Sequence, residues 1–130
     1  MKQMKNPKWH RDEAILALDL YFDKNIGAIS SNNPKITALS ELLNKLPIHT
    51  HKADEQKFRN PNGIVMKLAN FKALDPNYKG KGLKAYSKLE KEVFEEFCLD
   101  IERLHKIANK IKQILYNREV SNEIYMVEND

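Results

Sequence analysis

The sequence is poor in the residues that build disulfide frameworks, metal clusters and membrane spans. Its 130 residues include one cysteine, Cys98, which excludes an internal disulfide and any zinc site built from several cysteines. Cys98 lies among Phe94, Phe97 and Ile101, a pattern typical of a packed thiol. No apolar run approaches the roughly 20 residues of a membrane span, and the first ten residues lack the apolar stretch of a secretory signal. We therefore expect a soluble, cytoplasmic protein with no membrane partner.

Motifs for catalysis, metal binding and nucleotide binding are equally scarce. The sequence GKG at residues 80–82 is too short for a phosphate-binding P-loop and lacks the Ser or Thr that follows one. His49 and His51, with Asp54 and Glu55 nearby, form the one cluster that suggests a metal, but histidines two residues apart diverge on a helix. We predict no catalytic residue, no metal and no cofactor, and an enzyme acting alone is the least favoured interpretation.

Charge is distributed unevenly along the chain. The net charge is +4, yet residues 1–88 carry 16 Lys and Arg against 8 Asp and Glu, and residues 89–130 carry 6 against 10. Charge runs are often only solvated surface, but this degree of segregation favours an anionic partner, nucleic acid first. Within residues 57–88 only Asp75 opposes eight cations, namely Lys57, Arg59, Lys67, Lys72, Lys79, Lys81, Lys84 and Lys88.

Apolar periodicity predicts an all-α fold. Helices are expected at about residues 11–23 and 34–46, each with apolar residues recurring every three or four positions. A third helix begins at Pro61, because Asn60 suits the N-cap and proline suits the first helical position. Together they form a helix-turn-helix-like core. The apolar positions of the third helix are Ile64, Leu68 and Phe71.

A basic loop and one long C-terminal helix are predicted to follow. Ser87 and Glu90 have the spacing of a capping box. From Val93 to Leu115 apolar residues continue at steps of four and three, which predicts one helix of about 28 residues, or about 42 Å. Such a helix can pack back on the core and pair with a second copy. Residues 1–118 then form a single domain, and residues 119–130 form a tail or a short edge strand.

The third helix carries a second stripe, whose residue types bind DNA. At 100° per residue, Asn60, Gly63, Lys67 and Asn70 fall together, away from the apolar side. Arginine pairs with guanine edges and asparagine with adenine edges, while lysine suits phosphates. The alternative is that these residues have only structural roles, in which they cap the helix, form its turn or face solvent. The predicted DNA-binding residues are Arg59, Asn60, Asn62, Gly63, Lys67, Asn70, Lys72, Lys79, Lys81 and Lys84.

Several stretches, in this order, resemble the N-terminal domain of bacterial HNH-type restriction endonucleases of the 5-methylcytosine-specific kind. They are WHRDEAILALDLYF, NNPKITALSELLNKLP, FRNPNGIVMKLANFKALDP, GKGL and VFEEF. The resemblance covers about residues 9–111, with a longer link between helices two and three than other members have. It implies a domain that precedes a nuclease domain and helps it bind DNA in phage defence.

No His-Asn-His motif follows Ile111, so the resemblance does not carry cleavage to this chain. A stand-alone relative, a fragment of a longer protein and a module kept by a mobile element all remain open. We expect a non-catalytic module that binds double-stranded DNA, modified or unmodified, with a separate nuclease subunit as a further partner. The alternative is a protein-interaction or homodimerisation module that works through the long C-terminal helix and does not read DNA.

Overall fold

The structure, a computed structural model, describes residues 6–46, 48–49, 57–78 and 85–128, with the side chains of residues 118–128 left out. Within these ranges the chain forms five α-helices and no strand, which confirms the predicted all-α class. None of the described helices is both long enough and apolar enough to cross a membrane. The helices are α1 (Arg11–Tyr21), α2 (Pro34–Lys45), α3 (Pro61–Leu74), α4 (Lys88–Phe97) and α5 (Ile101–Glu128).

Helix α1 is the centre of the bundle. Residues 14–18 are all buried, and five consecutive helical residues point to every side of a helix. Accordingly α1 contacts each of the other four helices. These surround it in chain order, since α2 packs on α3, α3 on α4 and α4 on α5, whereas α2 and α5 do not pack extensively on each other. The ring around α1 is therefore open on one side.

The helix starts predicted from N-cap residues are confirmed for α2, α3 and α4. Asn33 caps α2 by accepting from the backbone N of Lys35 at 2.8 Å, and Asn60 caps α3 by accepting from the backbone N of Gly63 at 2.8 Å. Ser87 begins α4 with the predicted capping box: its own N donates to Glu90 at 2.8 Å, and the N of Glu90 donates to its hydroxyl at 3.3 Å. Side-chain caps are local interactions, so sequence spacing suffices to find them.

The prediction of a single long helix from Ser87 is wrong, because two helices occupy that stretch. Helix α4 ends at Phe97, and Asp100 then accepts from the backbone N of Arg103 at 3.1 Å, as an N-cap residue does. Helix α5 starts at Ile101 and has 28 residues, so residues 119–128, expected to be a tail, are helical. The apolar spacing runs unbroken from Phe97 to Leu104, both fully buried, and periodicity alone therefore hides the break.

Candidate functional site

Arg59 lies inside the protein, although the sequence analysis predicted that it reaches DNA. It is 6% exposed. Its Nε donates to Oε2 of Glu13 at 2.7 Å and its Nη2 to Oε1 at 3.1 Å, which makes a two-pronged ion pair. The same Nη2 donates to the carbonyl oxygens of Pro7 at 3.0 Å and Lys8 at 3.3 Å. One guanidinium thus ties the N-terminal segment, α1 and the turn before α3 together, and no base edge can reach it in this structure.

The surroundings of Arg59 fix its position. Its guanidinium carbon lies 4.9 Å from the ring centroid of Trp9 and 4.4 Å from that of Phe58. Its φ of 47° is in the left-handed region, which costs a non-glycine residue roughly 1–2 kcal/mol. Two side chains of α2 hold this turn: Ser40 donates to the Arg59 carbonyl at 2.7 Å and Asn44 to the Phe58 carbonyl at 3.1 Å. Such strain persists only where several neighbouring contacts stabilise it.

Glu13, the partner of Arg59, is the buried charge that sequence reasoning missed. It is fully buried, and its Oε1 also accepts from the backbone N of His10 at 2.9 Å, which completes the α1 capping box. Nε2 of His49 lies 2.7 Å from the same oxygen. Burial raises the pKa of Glu13, but the hydrogen bonds from Arg59, His10 and His49 outweigh it, so the pKa is lowered. Glu13 is therefore an ionised carboxylate, and both of its oxygens accept hydrogen bonds.

The histidine cluster considered as a metal site has one described member. His49 faces Glu13 and the ring of Phe58, whose centroid is 5.7 Å away. His51, Asp54 and Glu55 fall outside the described residues. In the part of the chain that the structure covers, no group of three His, Cys, Asp or Glu side chains is placed to hold a metal ion.

The polar stripe of α3 faces α4. Lys67 forms an ion pair with Glu90, whose side chain is 2% exposed, and Nδ2 of Asn70 donates to the same carboxylate at 3.2 Å. Nζ of Lys67 also lies 4.6 Å from the ring centroid of Trp9. Glu90 is the third residue of the α4 capping box, so this carboxylate caps one helix and binds another. Lys67 and Asn70 are thereby engaged inside the bundle.

Two further predicted site residues have local structural roles. Asn60 is the α3 N-cap, and a Cβ built on Gly63 would lie 3.2 Å from the Asn60 side-chain oxygen. The close approach that favours glycine there is made by its own cap residue. The predicted contacts Lys79, Lys81 and Lys84 lie outside the described residues.

A third face of α3 points to solvent. Asn62, Met66 and Ala69 are exposed at i, i+4 and i+7, with Met66 at 69% exposure. Lys72 is half-buried, and its Nζ lies 4.6 Å from the ring centroid of Tyr78. We call Asn62, Met66 and Ala69 the outer face of α3. Of the predicted base-reading residues, Asn62 is the one on this face.

A groove opens on the side of the bundle where α2 and α5 separate. Its volume is about 450 Å³, and side chains of α1, α2 and α5 line it. Leu16, Leu20, Leu39 and Leu42 form an apolar floor. We call it the α1/α2/α5 groove. Nothing in the residue pattern identifies it, because it depends on how three separate helices meet.

Comparisons with protein-family models, with curated proteins and with solved structures found no match to this chain. The resemblance to HNH-type restriction endonucleases therefore remains an expectation from the sequence.

Proposed function

We propose that the chain is a non-catalytic DNA-binding module that holds duplex DNA mainly by its phosphates. The observation that carries this is the excess of positive charge in residues 57–88, where eight Lys and Arg stand against Asp75 alone. Glu13 neutralises Arg59 and Glu90 neutralises Lys67. The other cations of residues 57–88 are six lysines: Lys88 lies 3.9 Å from Glu92, Lys79, Lys81 and Lys84 lie outside the described residues, and the remaining two are Lys57 and Lys72.

The outer face of α3 suits close approach to a groove of DNA. Asn62 and Ala69 are short, Met66 is flexible, and none of the three carries a charge. Asn62 stands in the first turn, where recognition helices contact base edges, and asparagine pairs with adenine. In the revised site Asn62 contacts a base edge and the lysines contact phosphates, while Arg59, Lys67 and Asn70 stabilise the fold. The resemblance to the DNA-binding domain of HNH restriction endonucleases supports the same role, with a separate nuclease as partner.

Fluorescence anisotropy with a labelled duplex tests the proposal. We expect affinity to fall steeply with salt, with a log–log slope near −0.9 for each neutralised phosphate. Parallel titrations with unmodified and 5-methylcytosine duplexes show whether the modification contributes. The absence of binding at the lowest salt concentration would refute the proposal.

Two pairs of lysines give a matched test of where DNA binds. Lys88 and Lys106 each form a loose i,i+4 ion pair, with Glu92 at 3.9 Å and with Glu102 at 3.7 Å. We expect Lys72→Gln with Lys88→Gln to reduce the salt slope by about 0.9 per lost contact. The control, Lys106→Gln with Lys110→Gln on α5, removes the same charge and should leave the slope unchanged. An equal loss in both variants would show that net charge alone drives binding.

Partner binding by α5 is a second candidate function. Two large apolar side chains on this helix, Ile114 and Tyr116, are 61% and 66% exposed. They lie two positions apart, so they project from nearly opposite sides of the helix and each is exposed separately to a partner.

A further inference from the structure

Residues 6–10, which we call the N-terminal segment, pack against the beginning of α3. The Arg59 guanidinium donates to two consecutive carbonyl oxygens of this segment, at 3.0 and 3.3 Å. The ring of Trp9 contacts two cations: its centroid lies 4.9 Å from the Arg59 guanidinium carbon and 4.6 Å from Nζ of Lys67. Backbone and side-chain contacts therefore both hold the segment in place.

These contacts place Lys8 at the end of α3 where Asn62 stands. The second of the two carbonyl oxygens is that of Lys8. Arg59 directly precedes the N-cap Asn60, and Asn62 is the second residue of the helix. The two residues that hold the N-terminal segment, Arg59 and Lys67, thus flank Asn62 in the sequence. Lys8 is fixed close to the turn of α3 that is proposed to contact a base.

The side chain of Lys8 differs from the cations that hold it. Lys8 is exposed, whereas its neighbour Trp9 is partly buried and packs against the core. Arg59 is neutralised by Glu13, and Lys67 by Glu90. Among the described residues no carboxylate forms an ion pair with the Lys8 ammonium. The backbone of Lys8 is therefore fixed while its charge faces solvent.

The beginning of the chain adds to the positive charge of residues 57–88. Residues 1–10 contain Lys2, Lys5 and Lys8 and no Asp or Glu. Residues 1–5 lie outside the described part, and the placement is known for Lys8. Lysines beside a helix that enters a groove bind phosphates, fix the position of the protein on the duplex and make the affinity depend on salt.

From these observations we propose that Lys8 is a further DNA-contacting residue and that Arg59 is its positioning residue. When α3 approaches duplex DNA through Asn62, the Lys8 ammonium binds a phosphate of the strand beside that groove. Arg59 does not touch DNA. Its Nη2 holds the Lys8 carbonyl, while its Nε stays bonded to Glu13. This role rests on the proposed DNA-binding function, to which it adds a contact outside residues 57–88.

Salt titrations by fluorescence anisotropy, with full-length variants and a labelled duplex, test the contact. Lys8→Gln should make the log–log slope shallower by about 0.9, the value for one lost phosphate contact. Lys110 is an exposed lysine of α5, so Lys110→Gln removes the same charge and should leave the slope unchanged. A wild-type slope in Lys8→Gln, or an equal loss in Lys110→Gln, would overturn the proposal.

Arg59→Lys separates positioning from net charge. The substitution keeps the positive charge, but lysine lacks the rigid fork that reaches Glu13 and the carbonyl oxygens together. We expect the slope to become shallower by about 0.9 although the net charge is unchanged. Adding Lys8→Gln to Arg59→Lys should cause no further loss, because both substitutions remove the same contact.

All variants are compared at a temperature at which circular dichroism shows them folded. A wild-type slope in Arg59→Lys, or a further loss of about 0.9 in the double variant, would overturn the positioning role. The wild-type titration separates this inference from the proposed function. No binding at the lowest salt concentration refutes both, whereas binding with an unchanged slope in Lys8→Gln leaves the function in place and removes Lys8 from the site.

Discussion

Glu13 and Glu90 occupy the same position in two capping boxes, yet the protein neutralises them differently. Glu13 meets the two-pronged guanidinium of Arg59, whose side chain is 5% exposed. Glu90 meets the single ammonium of Lys67, whose side chain is 13% exposed, and an amide from Asn70. Arginine supplies a rigid fork and lysine a movable point charge. The same capping pattern therefore supports two tertiary ion pairs of different geometry.

Breaking the ion pair between Arg59 and Glu13 should have the largest effect on stability. Arg59→Ala leaves a fully buried carboxylate without its main partner, and breaking a buried pair in this way costs about 3–5 kcal/mol. For a chain of this size that corresponds to a melting temperature lower by roughly 10–20 °C. The control Arg103→Ala removes an arginine whose side chain is 51% exposed and 3.4 Å from Glu96, and should cost less than about 1 kcal/mol. Equal melting temperatures for the two variants would remove the distinction between inner and outer arginines.

The ion pair between Lys67 and Glu90 should contribute less to stability than the one between Arg59 and Glu13. In the Lys67→Met variant Glu90 keeps its bonds from Asn70 and from the Ser87 backbone, so we expect a loss of about 1–3 kcal/mol. Glu90→Gln should cost less in the Lys67→Met background than in the wild type, since the two residues interact directly. Urea unfolding of the four proteins measures this coupling. A coupling of zero would mean that the ion pair contributes nothing.

Lowering the pH should weaken the ion pair between Glu13 and Arg59. The pKa of Glu13 is lowered in the folded state, so its contribution is complete above the unfolded value of about 4.3 and is lost as the pH falls through the folded value. The free energy of unfolding should therefore drop less steeply below pH 5 in Glu13→Gln than in the wild type. The Gln variant is less stable at neutral pH, and only the slopes are compared. Parallel slopes in urea titrations would contradict this assignment.

The smallest effect is expected on the outer face of α3. Asn62 and Asn70 are asparagines of the same helix, one exposed and one bonded to Glu90. Asn62→Ala should change stability by less than about 0.5 kcal/mol, and Asn70→Ala should cost about 1 kcal/mol. In DNA titrations the order should reverse, with Asn62→Ala affecting affinity. Equal stability losses would show that α3 has no distinct outer face.

Much of the fold follows from local sequence, and the errors have a common cause. Asn33, Asn60 and Ser87 mark helix starts because a cap bonds within three residues of itself. The break at Asp100 was missed because the apolar period continues across it. Likewise, the pattern places Lys67 and Asn70 on one side of α3. Whether that side faces solvent or another helix depends on Glu90, which is distant in sequence and meets them only in the folded state.

The residue types that bind DNA also bind buried carboxylates, which is why the candidate site was only partly predictable. Arginine forms the same forked contact with a carboxylate as with a guanine edge. One signal was available: Glu13 directly precedes AILAL, five apolar residues that leave no side of α1 for water. A carboxylate beside such a run needs a cation from elsewhere in the chain.

The most direct test of whether Arg59 lies in the interior, and not on the DNA-binding surface, is its side-chain Nε–H resonance in a ¹H–¹⁵N spectrum. The resonance is assigned by its loss in Arg59→Lys. Because Glu13 accepts this proton in a buried site, we expect the resonance to exchange slowly with water and to keep its position when duplex DNA is added. Exchange as fast as that of the exposed Arg103, or a shift on adding DNA, would contradict the assignment of Arg59 to the interior.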